Sequence, residues 1–194
     1  MELEQTVQLL CDGGVEFVII GGVAAAFHGS TRVTLDLDIC YSRSAANGKR
    51  LTAALTPFHP RPRGFLEGLP FIWDEQTRRN TTLFTLQTTL GEIDLLAEVP
   101  GIGTYDEVRA RSVTVDAFGR EVLVIDLKSL IHAKRTADRE KDRLALPELE
   151  SLLEASNPDR HGVTFGGFIA AGRPSCIRPR SPRPHRLRPQ PSAR

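Results

Sequence analysis

With 194 residues, 40% of them hydrophobic, the chain is long enough to bury the core of one ordinary globular domain. The sequence contains no run of about 18 apolar residues and opens on an acidic segment, so neither a membrane span nor a signal peptide is expected. Cys11, Cys40 and Cys176 fit neither a zinc-binding spacing nor a disulfide framework. These features favour a cytoplasmic protein without a membrane partner.

The formal net charge of +1 conceals an uneven distribution. Eight arginines, seven prolines and a single acid lie in residues 157–194, so this tail is basic and the body in front of it is acidic. A segment rich in Pro and Arg with few apolar residues is typical of disorder, and we predict a domain over residues 1–156 followed by a disordered tail. The tail could bind RNA or DNA through phosphates, but a solvated tail without a role fits the same pattern.

The first part of the sequence alternates between amphipathic and buried segments. Apolar residues at helical spacing predict a helix near the N-terminus, and short runs rich in β-branched residues predict buried strands. Ser44 is a candidate N-cap for the helix that follows the second strand. The predicted elements are a helix over 3–12, a strand over 15–20, a short helix over 23–28, a strand over 35–41 and a helix over 44–55.

The remainder of the body is richer in predicted strands. Residues 56–70 contain many Pro, Arg and Gly residues and are expected to form a loop, and Pro147 is expected to interrupt or restart the last helix. Because strands and helices do not alternate regularly, we predict an α+β fold with a mixed sheet and flanking helices. The further predicted elements are strands over 70–73, 80–88, 92–97, 112–117 and 121–125, a helix over 126–136 and a helix from 138 to about 153.

Two aspartates stand close together on the second predicted strand. Because side chains alternate along a strand, Asp36 and Asp38 are expected on one face, roughly 7 Å apart at their Cα atoms. Leu35, Leu37 and Ile39 are expected to face a core. Carboxylates on an otherwise apolar strand are costly unless a cation compensates them. Two such carboxylates, completed by substrate phosphates, are typical of a Mg²⁺ site or of two metal ions about 4 Å apart.

A third carboxylate is available on a later strand. Asp94 is surrounded by apolar residues, and it would meet Asp36 and Asp38 if the two strands are neighbours in the sheet. Glu92 shares the face of Asp94 and is a weaker candidate. The sequence therefore predicts one catalytic and metal-binding triad, formed by Asp36, Asp38 and Asp94.

A pair of glycines separates the first predicted strand from the next helix. Gly21 and Gly22 let the backbone turn tightly and approach a ligand, and their N–H groups could face a triphosphate. Ala24 stands where a dinucleotide-binding fingerprint needs a glycine, and no Gly-Lys-Ser/Thr sequence follows. Neither a Rossmann site nor a P-loop fits this pattern.

Three segments together resemble a known family. Residues 21–24 (GGVA), 28–29 (HG) and 32–39 (RVTLDLDI) resemble the first motif of minimal nucleotidyltransferases of the polymerase-β superfamily, and are closest to bacterial proteins related to the AbiEii and MenT toxins. Residues 92–96 resemble the strand that carries the family's third carboxylate, and 130–142 resembles its later helical segment. The resemblance covers residues 3 to about 155, and Pro147 and the basic tail depart from it.

The resemblance implies Mg²⁺- or Mn²⁺-dependent transfer of a nucleoside monophosphate from an NTP, with release of pyrophosphate. Asp94 would bind the catalytic metal and help to deprotonate the attacking hydroxyl. The acceptor could be a tRNA or another RNA, a protein or a small molecule, and a toxin of this type would have a small antitoxin partner. A catalytically silent module that binds NTP or nucleic acid, and a metal-dependent nuclease, remain open as alternatives.

Basic residues supply candidate phosphate contacts. Lys134 is the preferred triphosphate contact, with Arg135 beside it near the end of a predicted helix, although an interaction with the helix dipole is the alternative. Arg32 could lie on a phosphate or belong to a surface loop. Asp142 could orient Lys134 if the last two helices fold back on each other. The predicted nucleotide-binding residues are Gly21, Gly22, Arg32, Lys134 and Arg135.

Overall fold

Helices and strands are interleaved along the computed structural model, which describes residues 1–66, 69–74, 76 and 81–156. The α-helices whose bounds lie within these residues are α1 (Leu3–Asp12), α2 (Gly21–Phe27), α3 (Ala45–Leu55), α4 (Tyr105–Ala110), α5 (Leu127–Ala137) and α6 (Glu140–Ala155), and Thr56–Phe58 forms a 3-10 helix. The strands are β1 (Phe17–Ile19), β2 (Asp36–Tyr41), β3 (Arg61–Pro62), β4 (Leu83–Thr88), β5 (Gly91–Leu96), β6 (Glu98–Val99), β7 (Gly103–Thr104), β8 (Ser112–Ala117) and β9 (Arg120–Ile125).

Seven of the strands form one mixed sheet in the order β3-β4-β5-β2-β1-β9-β8. Strand β2 is parallel to β5 and β1 is parallel to β9, whereas the other neighbours are antiparallel. The short strands β6 and β7 form a separate hairpin after β5. The α+β fold with a mixed sheet that the sequence predicts is therefore confirmed.

Buried apolar side chains alternate with acidic ones along β2 and β5 at the centre of the sheet. Leu37, Ile39, Ile93 and Leu95 are each at most 1% exposed, and burial of one such side chain contributes about 2 kcal/mol. Because successive side chains of a strand point to opposite faces, the acidic residues between them are directed to the other face of the sheet. The apolar pattern that builds the core thus also positions the acids.

Helices α5 and α6 pack against each other beside the sheet. Asp126 begins α5 by accepting a hydrogen bond from the Ser129 backbone N–H at 2.8 Å. Asp138 ends α5 in the left-handed region at φ 46°, and α6 packs back against α5. This reversal brings the start of α6 beside the end of α5.

Two expectations about single residues are wrong. Pro147 lies inside α6, which runs without a break. Its missing N–H deprives the Arg143 carbonyl of a helical hydrogen bond, but both residues are exposed, so water can serve that carbonyl instead. Leu35 precedes β2 and is 74% exposed, so it does not face the core.

The strand predicted over residues 70–73 is not formed. Phe71 instead packs on Phe65 and Phe84, with ring centroids 5.7 Å and 6.2 Å apart, and Trp73 meets Phe84 edge-on at 5.8 Å. The apolar side chains of this segment therefore stabilise it by packing against β4, without a strand ladder.

Three short features lie outside the predicted elements. Strand β3 lies within the predicted loop over 56–70, where Pro62 is tolerated because the strand forms the edge of the sheet. The β6–β7 hairpin and α4 occupy residues 98–110. Helix α4 begins with a capping box in which Thr104 and Glu107 bond each other's backbone N–H groups.

No helix among the described residues has the length and apolar character needed to cross a membrane. Residues 157–194 lie outside the described part of the chain. Both the predicted domain boundary after residue 156 and the predicted disorder of the tail therefore stay predictions.

Candidate active site

The parallel pairing of β2 with β5 brings the acidic residues of the two strands together. Asp38 lies directly opposite Asp94, and Asp36 lies opposite Glu92. Because residues that face each other across a ladder share one side of the sheet, all four carboxyl groups are on the face away from the buried leucines and isoleucines. The strand adjacency on which the predicted triad depends is present in the structure.

Three of these acids converge. Asp36, Asp38 and Asp94 each offer a carboxylate oxygen, and these oxygen atoms lie within 4.8 Å of one another. Oxygen-only ligands at this separation suit a hard divalent cation such as Mg²⁺ or Mn²⁺, which is commonly held by carboxylates together with substrate phosphates. The donor set therefore fits the metal that the sequence predicts.

The negative charges of the triad carboxylates are not fully offset by nearby positive groups and hydrogen-bond donors. Burial, followed by the charges of Asp36 and Asp94, raises the pKa of Asp38 to about 6, although Lys141 and a hydrogen bond from the Gly22 N–H act to lower it. Burial also raises the pKa of Asp94, against the lowering effect of nearby basic groups. A divalent cation would offset this repulsion, because it favours the ionised form of each carboxylate.

The glycine pair permits the chain to pass close to the triad. Gly21 adopts φ +63°, and a Cβ atom there would lie 1.9 Å from Asp38 Oδ2. A Cβ atom on Gly22 would lie 2.5 Å from Thr34 Oγ1, and this hydroxyl donates a hydrogen bond to Asp36 Oδ1 at 2.7 Å. Both positions thus need glycine, because any side chain would collide with the acids or with the group that orients them.

A buried ion pair joins α5 to α6 near the triad. Asp142 is fully buried, and its two carboxylate oxygens accept hydrogen bonds from Lys134 Nζ at 3.0 Å and Arg139 Nε at 2.6 Å. Burial alone would raise the pKa of Asp142, but these two bonds hold it below its ordinary value. The predicted contact between Asp142 and Lys134 is present, and Arg139 joins it.

Two cavities meet at the triad. One has a volume of about 170 Å³; the other has a volume of about 750 Å³ and is bounded by α5, the β6–β7 hairpin and the ends of β4 and β5. The residues that line both cavities are Gly21, Asp38, Lys134 and Arg139. The smaller cavity is also lined by Gly22, Ser30, Arg32, Thr34, Asp36 and Lys141.

The structure therefore unites most of the predicted site residues, with one exception. Arg32 lines the smaller cavity and donates a hydrogen bond to the Leu144 carbonyl at 3.2 Å. Arg135 is directed elsewhere: its guanidinium pairs with Glu150 at 2.7 Å, and it lines neither of the two cavities. Adjacent positions on a helix point about 100° apart, which explains why Lys134 and Arg135 diverge.

The sequence patterns do not single out Arg63 as part of the site. Its guanidinium donates to Asp94 Oδ1 at 2.8 Å and lies 3.2 Å from Glu92 Oε2. It belongs to the segment predicted as a loop, and only the pairing of β3 with β4 shows that it faces the acids. Sequence patterns do not single out Arg139 either, because its contact depends on the buried position of Asp142.

Comparison with known proteins supports the fold. No protein-family model and no curated protein matches the sequence. A crystal structure from Thermotoga maritima, of a protein provisionally assigned as a nucleotidyltransferase, is similar with a TM-score of 0.51 at 13% sequence identity. The likeness covers 77% of this chain and 90% of that one.

Two structures of the antibiotic-resistance factor ANT(2'')-Ia align less well. A solution structure has a TM-score of 0.45 at 16% identity, and a crystal structure with adenylyl-2''-tobramycin has a TM-score of 0.44 at 14% identity. Both cover 79% of this chain, with 88% and 93% of the other chain respectively. Scores this low do not bear on the activity of this chain. This chain therefore shares the fold of the Thermotoga maritima protein, and its acidic triad lies on β2 and β5 of the sheet.

Proposed function

We propose that this chain is a metal-dependent nucleotidyltransferase, related to the AbiEii and MenT group, that transfers a nucleoside monophosphate from an NTP to a hydroxyl group. The observation that carries the proposal is the convergence of Asp36, Asp38 and Asp94 from two parallel strands, with their carboxylate oxygens within 4.8 Å. The nucleotidyltransferase-like fold supports it.

The triad would hold Mg²⁺ or Mn²⁺, and the bound cation would stabilise the charge that develops on the phosphoryl oxygens. In the transfer, the acceptor oxygen forms a bond to the α-phosphorus while the bond from the α-phosphorus to the bridging oxygen breaks and pyrophosphate leaves. Asp94 is the residue of the triad that lies on the strand next to β4, and it would accept the proton of the acceptor hydroxyl. Thr34 orients Asp36 through its 2.7 Å hydrogen bond.

The two cavities suggest how the substrates are arranged. The smaller cavity, of about 170 Å³, presents Lys134, Arg139 and Lys141 opposite the acids and suits a triphosphate. The larger one, of about 750 Å³, has walls of apolar residues from α5 and the β6–β7 hairpin, and it provides room for a nucleoside and the acceptor. Both cavities reach Asp38, so phosphate and hydroxyl can meet there.

An acceptor screen tests this function. Protein incubated with each of the four NTPs, labelled at the α-phosphate, together with total RNA, total protein or small polyhydroxy compounds, should show Mg²⁺-dependent incorporation of label with stoichiometric pyrophosphate. The resemblance leaves the acceptor open among an RNA such as tRNA, a protein and a small molecule, and it suggests a toxin role with an antitoxin partner. Label on small molecules alone would argue against that role, and NTP binding without transfer to any acceptor would favour a silent binding module.

A matched control keeps the screen specific. Asp116→Asn removes a carboxylate from an exposed position on β8 and should leave incorporation unchanged, whereas Asp36→Asn should abolish it. RNA cleavage in the absence of NTP, lost in the Asp36→Asn variant, would instead indicate a nuclease and contradict the proposal.

A further inference from the structure

A row of residues crosses four strands of the sheet and ends at the triad. The Arg63 backbone N–H donates to the Thr85 carbonyl at 2.9 Å, directly after the paired residues of β3. Thr85 lies opposite Asp94, and Asp94 lies opposite Asp38. Because residues in register share one face of a sheet, Arg63 is on the same face as the acids although it is remote from them in the sequence.

The Arg63 side chain bridges two carboxylates of β5. A single terminal nitrogen of its guanidinium lies 2.8 Å from Asp94 Oδ1 and 3.2 Å from Glu92 Oε2. The Asp94 side chain is only 13% exposed, whereas the Arg63 side chain is 34% exposed. The carboxylate that Arg63 contacts is thus the more buried member of this ion pair.

Strand β5 has β4 on one side and β2 on the other, so Arg63 and Asp38 lie on opposite sides of Asp94. A carboxylate held through one oxygen from the β4 side has its other oxygen available to the Asp36 and Asp38 pair on β2. We infer that Arg63 is a positioning residue, which fixes the Asp94 carboxylate in the orientation that completes the cation site. This inference rests on the proposed function.

Charge and orientation predict opposite effects of removing Arg63. Loss of a positive charge beside the triad would by itself strengthen the binding of a divalent cation. Loss of the hydrogen bond would instead let the Asp94 carboxylate rotate away, and groups that orient metal ligands are commonly worth tenfold to a hundredfold in affinity. The direction of the change therefore separates a positioning role from simple charge neutralisation.

Calorimetric titration with Mn²⁺, without NTP, tests the inference in the full chain. Arg63→Gln should weaken Mn²⁺ binding roughly tenfold or more, and Arg63→Lys should lose less, because it keeps the charge without the planar guanidinium. Arg61→Gln is the matched control and should leave Mn²⁺ affinity unchanged. Arg61 is two residues away, but its guanidinium donates to the Leu69 carbonyl at 2.8 Å and lies over the Phe65 ring.

A double-mutant cycle locates the effect. In an Asp94→Asn background, Arg63→Gln should cause no further loss of Mn²⁺ affinity, because the ligand that it orients is already gone. Wild-type affinity or tighter binding in Arg63→Gln overturns the inference and leaves the proposed function intact. If wild-type protein binds no Mn²⁺ without NTP, the inference alone is overturned, because substrate phosphates complete the proposed site. If Asp94→Asn binds Mn²⁺ as tightly as wild type, the proposed function fails together with the inference.

Discussion

Asp38→Asn is expected to lower the rate of nucleotidyl transfer by about a thousandfold or more, because it removes a ligand from the centre of the cation site. The same substitution is expected to raise the melting temperature of the metal-free protein at neutral pH. The two effects have one cause, since Asp38 is a half-buried carboxylate that faces two further carboxylates. A site built to hold a cation is destabilising without it.

The sign of the stability effect follows from the pKa of Asp38. The folded state raises the pKa of Asp38 from 3.8 to about 6. Between these two pH values the folded protein keeps a proton on Asp38 that the unfolded chain has already released. The free energy of unfolding therefore falls as the pH rises from 3.8 to about 6, and at higher pH the ionised Asp38 lowers it by up to about 3 kcal/mol. Asparagine removes the penalty and can still accept the Gly22 hydrogen bond.

Melting curves recorded without metal at pH 4.5 and 7.5 measure this effect. Relative to wild type, Asp38→Asn should gain on the order of 5 °C at the higher pH and much less at the lower pH. Mg²⁺ should raise the melting temperature of wild type but not of Asp38→Asn. Asp116→Asn, on the exposed surface of β8, should follow wild type throughout. A lower melting temperature for Asp38→Asn at pH 7.5 would contradict this account.

Asp142→Ala is expected to destabilise the domain by about 3–5 kcal/mol, which corresponds to a fall in melting temperature of about 10 °C. Asp142 is fully buried, and the Lys134 side chain is 13% exposed, so removal of the carboxylate leaves an ammonium group without its counter-ion. The pKa of Asp142 lies below its ordinary value, so its stabilising effect is present at neutral pH and is lost as the pH falls.

The neighbouring pair provides a matched control for Asp142. Arg135 and Glu150 join the same two helices through a 2.7 Å contact, but their side chains are 59% and 41% exposed. Glu150→Ala should therefore change the free energy of unfolding by less than about 1 kcal/mol. Thermal or urea unfolding compares the two variants, and similar losses would show that burial of Asp142 is not what stabilises the α5–α6 pair.

Asp142 also bears on the nucleotide site, because Lys134 lines both cavities. Asp142→Asn keeps a hydrogen-bond acceptor but removes the charge, and Lys134 would lose its fixed position. We expect NTP affinity to fall roughly tenfold in this variant, as measured by calorimetry at a temperature where it remains folded. Unchanged NTP affinity would mean that Lys134 does not contact the triphosphate.

Two members of the acidic triad, Asp36 and Asp38, could be placed together from the sequence because local alternation determines their positions. Asp36 and Asp38 share a face of any strand that contains both, and Leu37 and Ile39, which alternate with them, indicate which face is buried. Whether Asp94 joins them depends on β5 pairing with β2, a contact between segments that are more than fifty residues apart. Short-range patterns cannot establish this pairing, and the family resemblance supplied the expectation that the structure confirms.

The features that the sequence did not predict depend on tertiary context. Arg63 joins the site only through the register of β3 with β4, and β3 itself is two residues long. The apolar residues over 70–73 fit a strand pattern but pack as an aromatic cluster on β4. Pro147 is tolerated because it lies on the exposed face of α6. A prediction that every proline interrupts a helix does not take this exposure into account.

A crystal structure with Mn²⁺ and a non-hydrolysable NTP analogue, using the anomalous scattering of manganese, tests the central claim most directly. The account predicts at least one manganese ion with oxygen ligands from Asp36, Asp38 and Asp94 at about 2 Å, and with a phosphate oxygen of the analogue as a further ligand. Manganese bound elsewhere, or a triphosphate seated away from these three carboxylates, would contradict it.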